Sequence, residues 1–226
     1  MYSENPVRIP VSAPVHRAAS AESKRFALRS TAAFIPADGD AALVATDGRM
    51  LAVVPFQFPN PTDPGVRGDD AGAVRLIPFE AMQAATKRGR TDSAVYMNGT
   101  ARVEGAKGSS EFPIEDFGSF PPCADVIPAE QQIRKGICVT LNPELLARLA
   151  EALGSGNAVS VIVDPEGTRP MVVIPMSGSK APEDAVGLLM PVMKGMDSGT
   201  KDEASRRCAN AVRIIRAAEA RKGGSR

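Results

Sequence analysis

The run Ala42–Pro55, reading A-L-V-A-T-D-G-R-M-L-A-V-V-P, constrains this chain more than any other stretch. Two apolar runs flank Asp47-Gly48, and that dipeptide is the strongest short-range signal for a hairpin. The tight type I′ turn needs φ > 0 at both central residues, which Gly adopts freely and Asp tolerates. The spacing therefore predicts two antiparallel strands joined by a tight turn. Alone, such a pair is one more surface hairpin, and its neighbours along the chain decide what it belongs to.

Those neighbours are short and heavily punctuated. Gly and Pro together number 39 of the 226 residues and Trp is absent, which favours many short strands and turns over long helices. Val7, Ile9 and Val11 alternate like a strand, and Pro6, Pro10 and Pro14 assign it to a sheet edge. His16–Lys24 has room for about two helical turns. Arg25–Ile35 reads as a strand, followed by a turn at Pro36-Ala37-Asp38-Gly39 and then the hairpin. Pro59–Gly72, with its Gly, Pro and Asp, is a loop.

A second unit starts with the strand Ala73–Ile77. Pro78 suits a helical first turn, and Phe79–Lys87 forms a helix with Phe79, Met82 and Ala85/Thr86 on one side. Strands follow at Ser93–Met97, Thr100–Glu104 and Ser109–Pro113. Phe117–Pro128 is too rich in Pro for regular structure and reads as a connector. A third unit opens with a strand at Ile137–Leu141. Asn142 is a good N-cap, with Pro143 at the first helical position. The helix Pro143–Leu153 places Leu145, Leu146, Leu149 and Leu153 on one stripe and ends at Gly154. Strands Ala158–Asp164, Pro170–Pro175 and Val186–Val192 complete the unit. Strand, short helix, three strands: the same order occurs three times, so the chain is α+β with mostly antiparallel sheets.

After Met193 the pattern changes. Gly195–Gly199 is a linker, and Ala204–Ala220 a helix with Val212 and Ile215 on one side and Arg206, Arg213 and Arg216 outward. A solvated helix or a frayed tail is the simplest expectation for it. From Lys194 onward nine Lys and Arg oppose four acids, a net +5, whereas the preceding 193 residues carry −4. A chain so divided does not coat nucleic acid with its whole surface, so any DNA contact is local.

Several classes are excluded. No stretch approaches the ~20 apolar residues of a membrane span, and no signal-peptide pattern opens the chain. Cys123, Cys138 and Cys208 lie far apart, implying neither a disulfide framework nor a zinc site and making a reduced, cytoplasmic protein the default. The single histidine, His16, has no Ser-His-Asp, Cys-His or metal-ligand company. Gly65, Gly68 and Gly72 sit among Asp residues with no helix after them, so they form no phosphate loop, and Asp69-Asp70 reads as solvated loop. No cofactor, metal or catalytic centre is expected, and the chain is not read as an enzyme.

Four separated pieces, in order, resemble the bacterial sliding clamp, the beta subunit of DNA polymerase III. They are Ala45–Ala52, A-T-D-G-R-M-L-A; Phe120-Pro121 through Val126-Ile127-Pro128; Leu141–Leu153 with Val159–Ile174; and Leu188–Met193, L-L-M-P-V-M. The resemblance implies a DNA-clamp fold built from repeated strand-helix-three-strand units. It implies a clamp-like domain over 1–128 resembling the clamp's middle domain, a partial domain over 129–193, and a basic tail over 194–226.

That family uses these pieces to build an apolar pocket for short peptides of polymerases and repair proteins. Carried over, the pocket comprises Thr46, Gly48, Arg49, Met50, Leu51, Pro121, Val126, Leu188, Met190, Pro191 and Val192; read without the family, the apolar members are plain core. Candidate DNA-backbone contacts are Lys24, Arg25, Lys87, Arg88, Arg90 and Arg148, although each taken singly also fits a solvated helix face. The implied partners are double-stranded DNA, held without base reading, and a polymerase, clamp loader or repair protein, with no membrane. The expected assembly is a homo-oligomer, a trimer if it closes a ring. The alternative is a non-encircling binding module that recruits or competes for clamp-binding proteins. Departures accompany the likeness. Asp125 stands where a basic residue is usual, Met193 where Arg is common, the tail runs past the usual end of a clamp, and no room is left between Pro128 and Ile137 for the elements that open the family's last domain.

Overall fold

The computed structural model of the chain describes residues 7–20, 26–58, 73–87, 94–97, 99–105, 108–114, 119–136, 138–155, 158–163, 170–176, 185–191 and 198–220. They form two compact units, one made of 1–128 with 208–226 and the other of 129–207.

The first unit contains two strand-helix-three-strand repeats that exchange their opening strands. In the first repeat, β1 (Val7–Pro10) leads through a 3₁₀ turn at Val15–Ala18 and a short helix α1 (Phe26–Arg29) to β2 (Ser30–Ile35), β3 (Ala41–Thr46) and β4 (Leu51–Phe56). In the second, β5 (Ala73–Pro78) runs straight into α2 (Phe79–Lys87), followed by β6 (Ala94–Met97), β7 (Thr100–Gly105) and β8 (Gly108–Pro113). The sheet orders are β4-β3-β2-β5 and β1-β6-β7-β8. Each opening strand thus pairs antiparallel with the first of the other repeat's three strands: β5 with β2, from Ser30 opposite Pro78 to Ile35 opposite Ala73, and β1 with β6, from Val7 opposite Met97 to Pro10 opposite Ala94. Neither repeat is complete without the other.

The sequence of β2 and β3 explains the layers. S-T-A-A-F-I and A-A-L-V-A-T are buried at every position, and strands covered on both faces read as continuous apolar runs rather than alternating ones. One face gives Ala33, Ile35, Leu43 and Ala45 to a core shared with Val7 and Ile9 of β1, Met82 and Ala85 of α2, and Val95 and Val103 of the other sheet. The opposite face gives Ala32, Phe34, Ala42 and Val44 to a second core. Its cover is a C-terminal helix, which places Ile214, Ile215 and Ala218 there.

In the second unit a short helix α3 (Glu130–Lys135) precedes α4 (Pro143–Ala152), and three strands follow: β9 (Val159–Ile162), β10 (Met171–Pro175) and β11 (Gly187–Leu189), in the order β11-β10-β9. The Asn142 side chain accepts a hydrogen bond from the Glu144 N–H at 2.9 Å, capping α4 as expected. Gly154 beyond its end has φ +70°, the left-handed conformation that suits a helix stop. Leu146, Leu149 and Leu153 pack on Met171, Val173 and Leu189. Gly187 permits the close approach, because a Cβ there would lie 2.8 Å from Leu149 Cδ1. The helix α5 (Ser198–Glu219) closes the described chain.

The structure corrects the sequence reading at several points. Arg25–Ile35 is not all strand, since Phe26–Arg29 takes a helical turn before β2. Of the expected helix His16–Lys24, only a 3₁₀ turn forms up to Ala18, and 21–25 lie outside the described residues, as does the loop 59–72. Leu145 points away from its stripe and is 44% exposed. Residues 138–141 form no strand: Val139 and Leu141 pack against the core, but among the described residues the three-stranded sheet has no place filled beyond β9. The helix expected at 204–220 is neither frayed nor fully solvated. Ala211, Ile214, Ile215 and Ala218 make a buried stripe at helical spacing, and Arg206, Arg213 and Arg216 face outward as expected.

Candidate partner-binding site

The carried-over pocket residues fall into two groups, one in each unit. In the first unit they surround the β3–β4 hairpin. The register sets Thr46 opposite Leu51, so the loop has four residues, not two. Only Gly48 has positive φ, at +88°, and Asp47 does not, which rules out the type I′ turn. The Asp47 carboxylate sets the geometry instead: Oδ1 accepts the backbone N–H groups of Arg49 at 2.8 Å and Met50 at 2.9 Å. Those two hydrogen bonds hold its pKa below the usual carboxylate value. Thr46 Oγ1 completes the loop, donating to Met50 O at 2.7 Å and accepting from Gly48 N at 3.0 Å. Met50 is left 54% exposed at the tip.

The connector lies on the same apolar layer as Leu51. Phe120, Cys123 and Ala124 are buried in the second core, where Leu51 and Val53 are partly buried neighbours. Phe120 meets Phe34 edge to face, with ring centroids 5.8 Å apart. Burial pushes the Cys123 thiol up to about 11, and the Glu219 charge adds to the effect. Pro121 is half-buried and Val126 is 68% exposed, so the connector hides its aromatic and presents its valine. Two arginines of α5 fasten this arrangement. Arg216 Nη2 lies 3.1 Å from Asp125 Oδ1, and Arg213 Nη2 lies 3.7 Å from Asp40 Oδ2 beside the β2–β3 turn.

The second unit presents an open sheet face. Met171, Val173 and Leu189 turn inward, and Ile162, Val172, Ile174, Leu188 and Met190 turn the other way. Val172 stands between Ile162 and Leu188 in register, making an apolar row across three strands. Leu188 is 65% and Met190 59% exposed, and Pro191 is half-buried. Val192 lies outside the described residues. So do Lys24, Arg25, Arg88 and Arg90 among the candidate DNA contacts. Lys87 is exposed at the end of α2, its Nζ donating to Gln83 Oε1 at 3.4 Å, and Arg148 is exposed on α4. A cleft of about 510 Å³ opens between residues 11–17 and α2, lined by His16, Phe79, Gln83 and Lys87. Among the described residues no group of three His, Cys, Asp or Glu is placed to hold a metal, and no helix is long and apolar enough to cross a membrane.

No protein-family model matches the sequence. No curated protein matches it either. Solved structures do. The beta subunit of DNA polymerase from Streptococcus pyogenes superposes with a TM-score of 0.58 at 15% identity, over 92% of this chain and 57% of that one. The DNA polymerase III subunit beta sliding clamp of Bartonella birtlesii gives 0.54 at 18% identity, over 83% and 50%. The Helicobacter pylori beta clamp bound to a DNA ligase peptide gives 0.54 at 15%, over 86% and 52%. This chain has the sliding-clamp fold.

It spans about half the length of the clamps it matches. Within the clamp fold, two departures noted in the sequence meet each other: the acidic Asp125 and the basic C-terminal segment form the Arg216–Asp125 pair. Sequence reasoning missed the apolar face of the second unit beyond Leu188 and Met190. Its signal was present, because Val172 and Ile174 share parity along β10, M-V-V-I-P, which has no polar alternation, and Val172 faces Ile162 of β9.

Proposed function

We propose that the chain acts as a sliding-clamp-like processivity factor, tethering a DNA polymerase or repair protein through short peptide segments. The observation that carries this reading is exposed apolar surface at the carried-over positions. Val126, Leu188 and Met190 are each more than half exposed, although a soluble fold has every reason to bury such side chains. Methionines at 50 and 190 suit a surface that accepts differing side chains. The solved clamp with a DNA ligase peptide supports a peptide as the kind of partner. DNA would be held through its backbone, with an affinity that falls steeply as salt rises.

Titrating a fluorescein-labelled Gln-Ser-Ser-Leu-Phe peptide with the protein tests this by anisotropy. Saturable micromolar binding is expected, weakened at least ten-fold by Leu51→Ala with Met190→Ala while the thermal transition stays cooperative. No saturation with the intact chain would refute the peptide-binding role.

One feature favours the alternative of a non-encircling module. β4 is an edge strand and contains Pro55, which lacks an N–H and discourages another strand from adding there. Retention on nicked circular DNA, compared with loss from linear DNA, separates the two readings. Slow release from the circle alone means encirclement.

A further inference from the structure

We propose that the second unit is half of a two-fold structure, completed by the same unit of a second copy of this chain. In the exchange, Cys138–Leu141 of each copy pairs antiparallel with β9 of the other. The inference is independent of peptide binding and rests on the pairing rule visible in the first unit. There, the opening strand of each repeat joins the sheet of the other repeat, next to the first of its three strands. Among the described residues the second unit has these parts once only. Its opening segment, Cys138–Leu141, forms no strand, and β9, the first of its three, has no neighbour on its outer side among the described residues. A donor without an acceptor and an acceptor without a donor are what a two-fold axis between identical copies satisfies.

Packing points the same way. In the first unit α2 buries Ala81, Met82 and Ala85 completely, because two repeats share one core. In the second, α4 carries a leucine stripe yet buries none of its residues, and Leu145 is 44% exposed. Val159 and Val161 of β9 are likewise only half-buried. A second copy of the unit would supply the missing half of that core and cap the open edge, which otherwise invites unplanned pairing.

Face parity and the pairing of the first unit fix the register. Asn142 caps α4 and ends the segment at Leu141, Val139 and Leu141 pack on the same core as Val159 and Val161, and the last residue of β5 faces the first residue of β2. Transferred to the second unit, Leu141 lies opposite Val159, Thr140 opposite Ser160, Val139 opposite Val161 and Cys138 opposite Ile162 of the partner copy. That register brings a native cysteine beside a residue that can be changed. The variant Ile162→Cys, gently oxidised at micromolar concentration, is expected to run as a covalent dimer on non-reducing gels, and the same variant with Cys138→Ser is not. Wild-type protein is expected to sediment at twice the 23.7 kDa chain mass. Thr140→Pro, which removes a pairing N–H from a segment outside the core helices, is expected to return it to monomer with its thermal transition intact. A monomer at all concentrations, or a dimer that survives Thr140→Pro and gives no Cys138-dependent cross-link, would overturn the proposal.

Discussion

Asp47 shows how one side chain redirects a turn. Asp-Gly between apolar runs predicts a two-residue loop, but the carboxylate reaches two backbone N–H groups and holds a four-residue loop with a single left-handed glycine. The position of the hairpin was legible in sequence and its length was not, because the alternatives differ only in which local hydrogen bonds form. His16, the only histidine in the chain, permits a cleaner test at this scale. Burial, aided by the neighbouring Arg17 charge, lowers its pKa from 6.5, so the fold favours the neutral ring. A depressed histidine pKa contributes stability that is whole above the unfolded value and is lost as pH falls through the folded one. Proton NMR is expected to show one imidazole titrating below 6.5, with the melting temperature falling between pH 7 and pH 5. A midpoint at or above 6.5 would contradict the buried placement. Gly187 offers a second test. Gly187→Ala is expected to cost about 1–3 kcal/mol by crowding Leu149, and much less in a Leu149→Ala background. Additive effects in a denaturation cycle would mean that the two residues do not meet.

Among the elements, α5 departs furthest from what its sequence suggested. Seventeen residues rich in Arg and Ala read as a solvated tail, yet Ile214 and Ile215 are almost wholly buried. The clue lay elsewhere in the chain: β2 and β3 are apolar on both faces and so require two covers. Nothing in the tail alone announced which face it would take. Ile215→Ala is expected to destabilise the protein by about 2–5 kcal/mol in urea unfolding, whereas Arg216→Ala, which breaks an exposed pair, should cost under ~1 kcal/mol. An Ile215→Ala loss as small as that of Arg216→Ala would show that the helix is not seated on the sheet. The segment 138–141 teaches the converse. Its composition suits a strand, but strands exist only in pairs, and sequence propensity does not report whether a partner is in reach.

For the molecule as a whole, the order of strand, helix and three strands was readable from periodicity and punctuation, whereas the clamp fold followed from the resemblance of four short pieces to that family. The exchange of opening strands between repeats was not readable, since it depends on long-range pairing that leaves no local mark. The candidate site was legible in part. The hairpin tip, the connector and β11 were marked by short motifs, whereas the rest of the open apolar face carries no motif. Exposed apolar side chains at marked positions in both units are the basis for reading the chain as a tether for partner peptides. Hydrogen–deuterium exchange of the intact protein, with and without saturating Gln-Ser-Ser-Leu-Phe peptide, tests that claim most directly. Slower exchange is expected at 46–51 and at 187–191, with α2 and α4 unchanged. Peptide binding that leaves both segments unprotected, or protects only the basic helix α5, would contradict it.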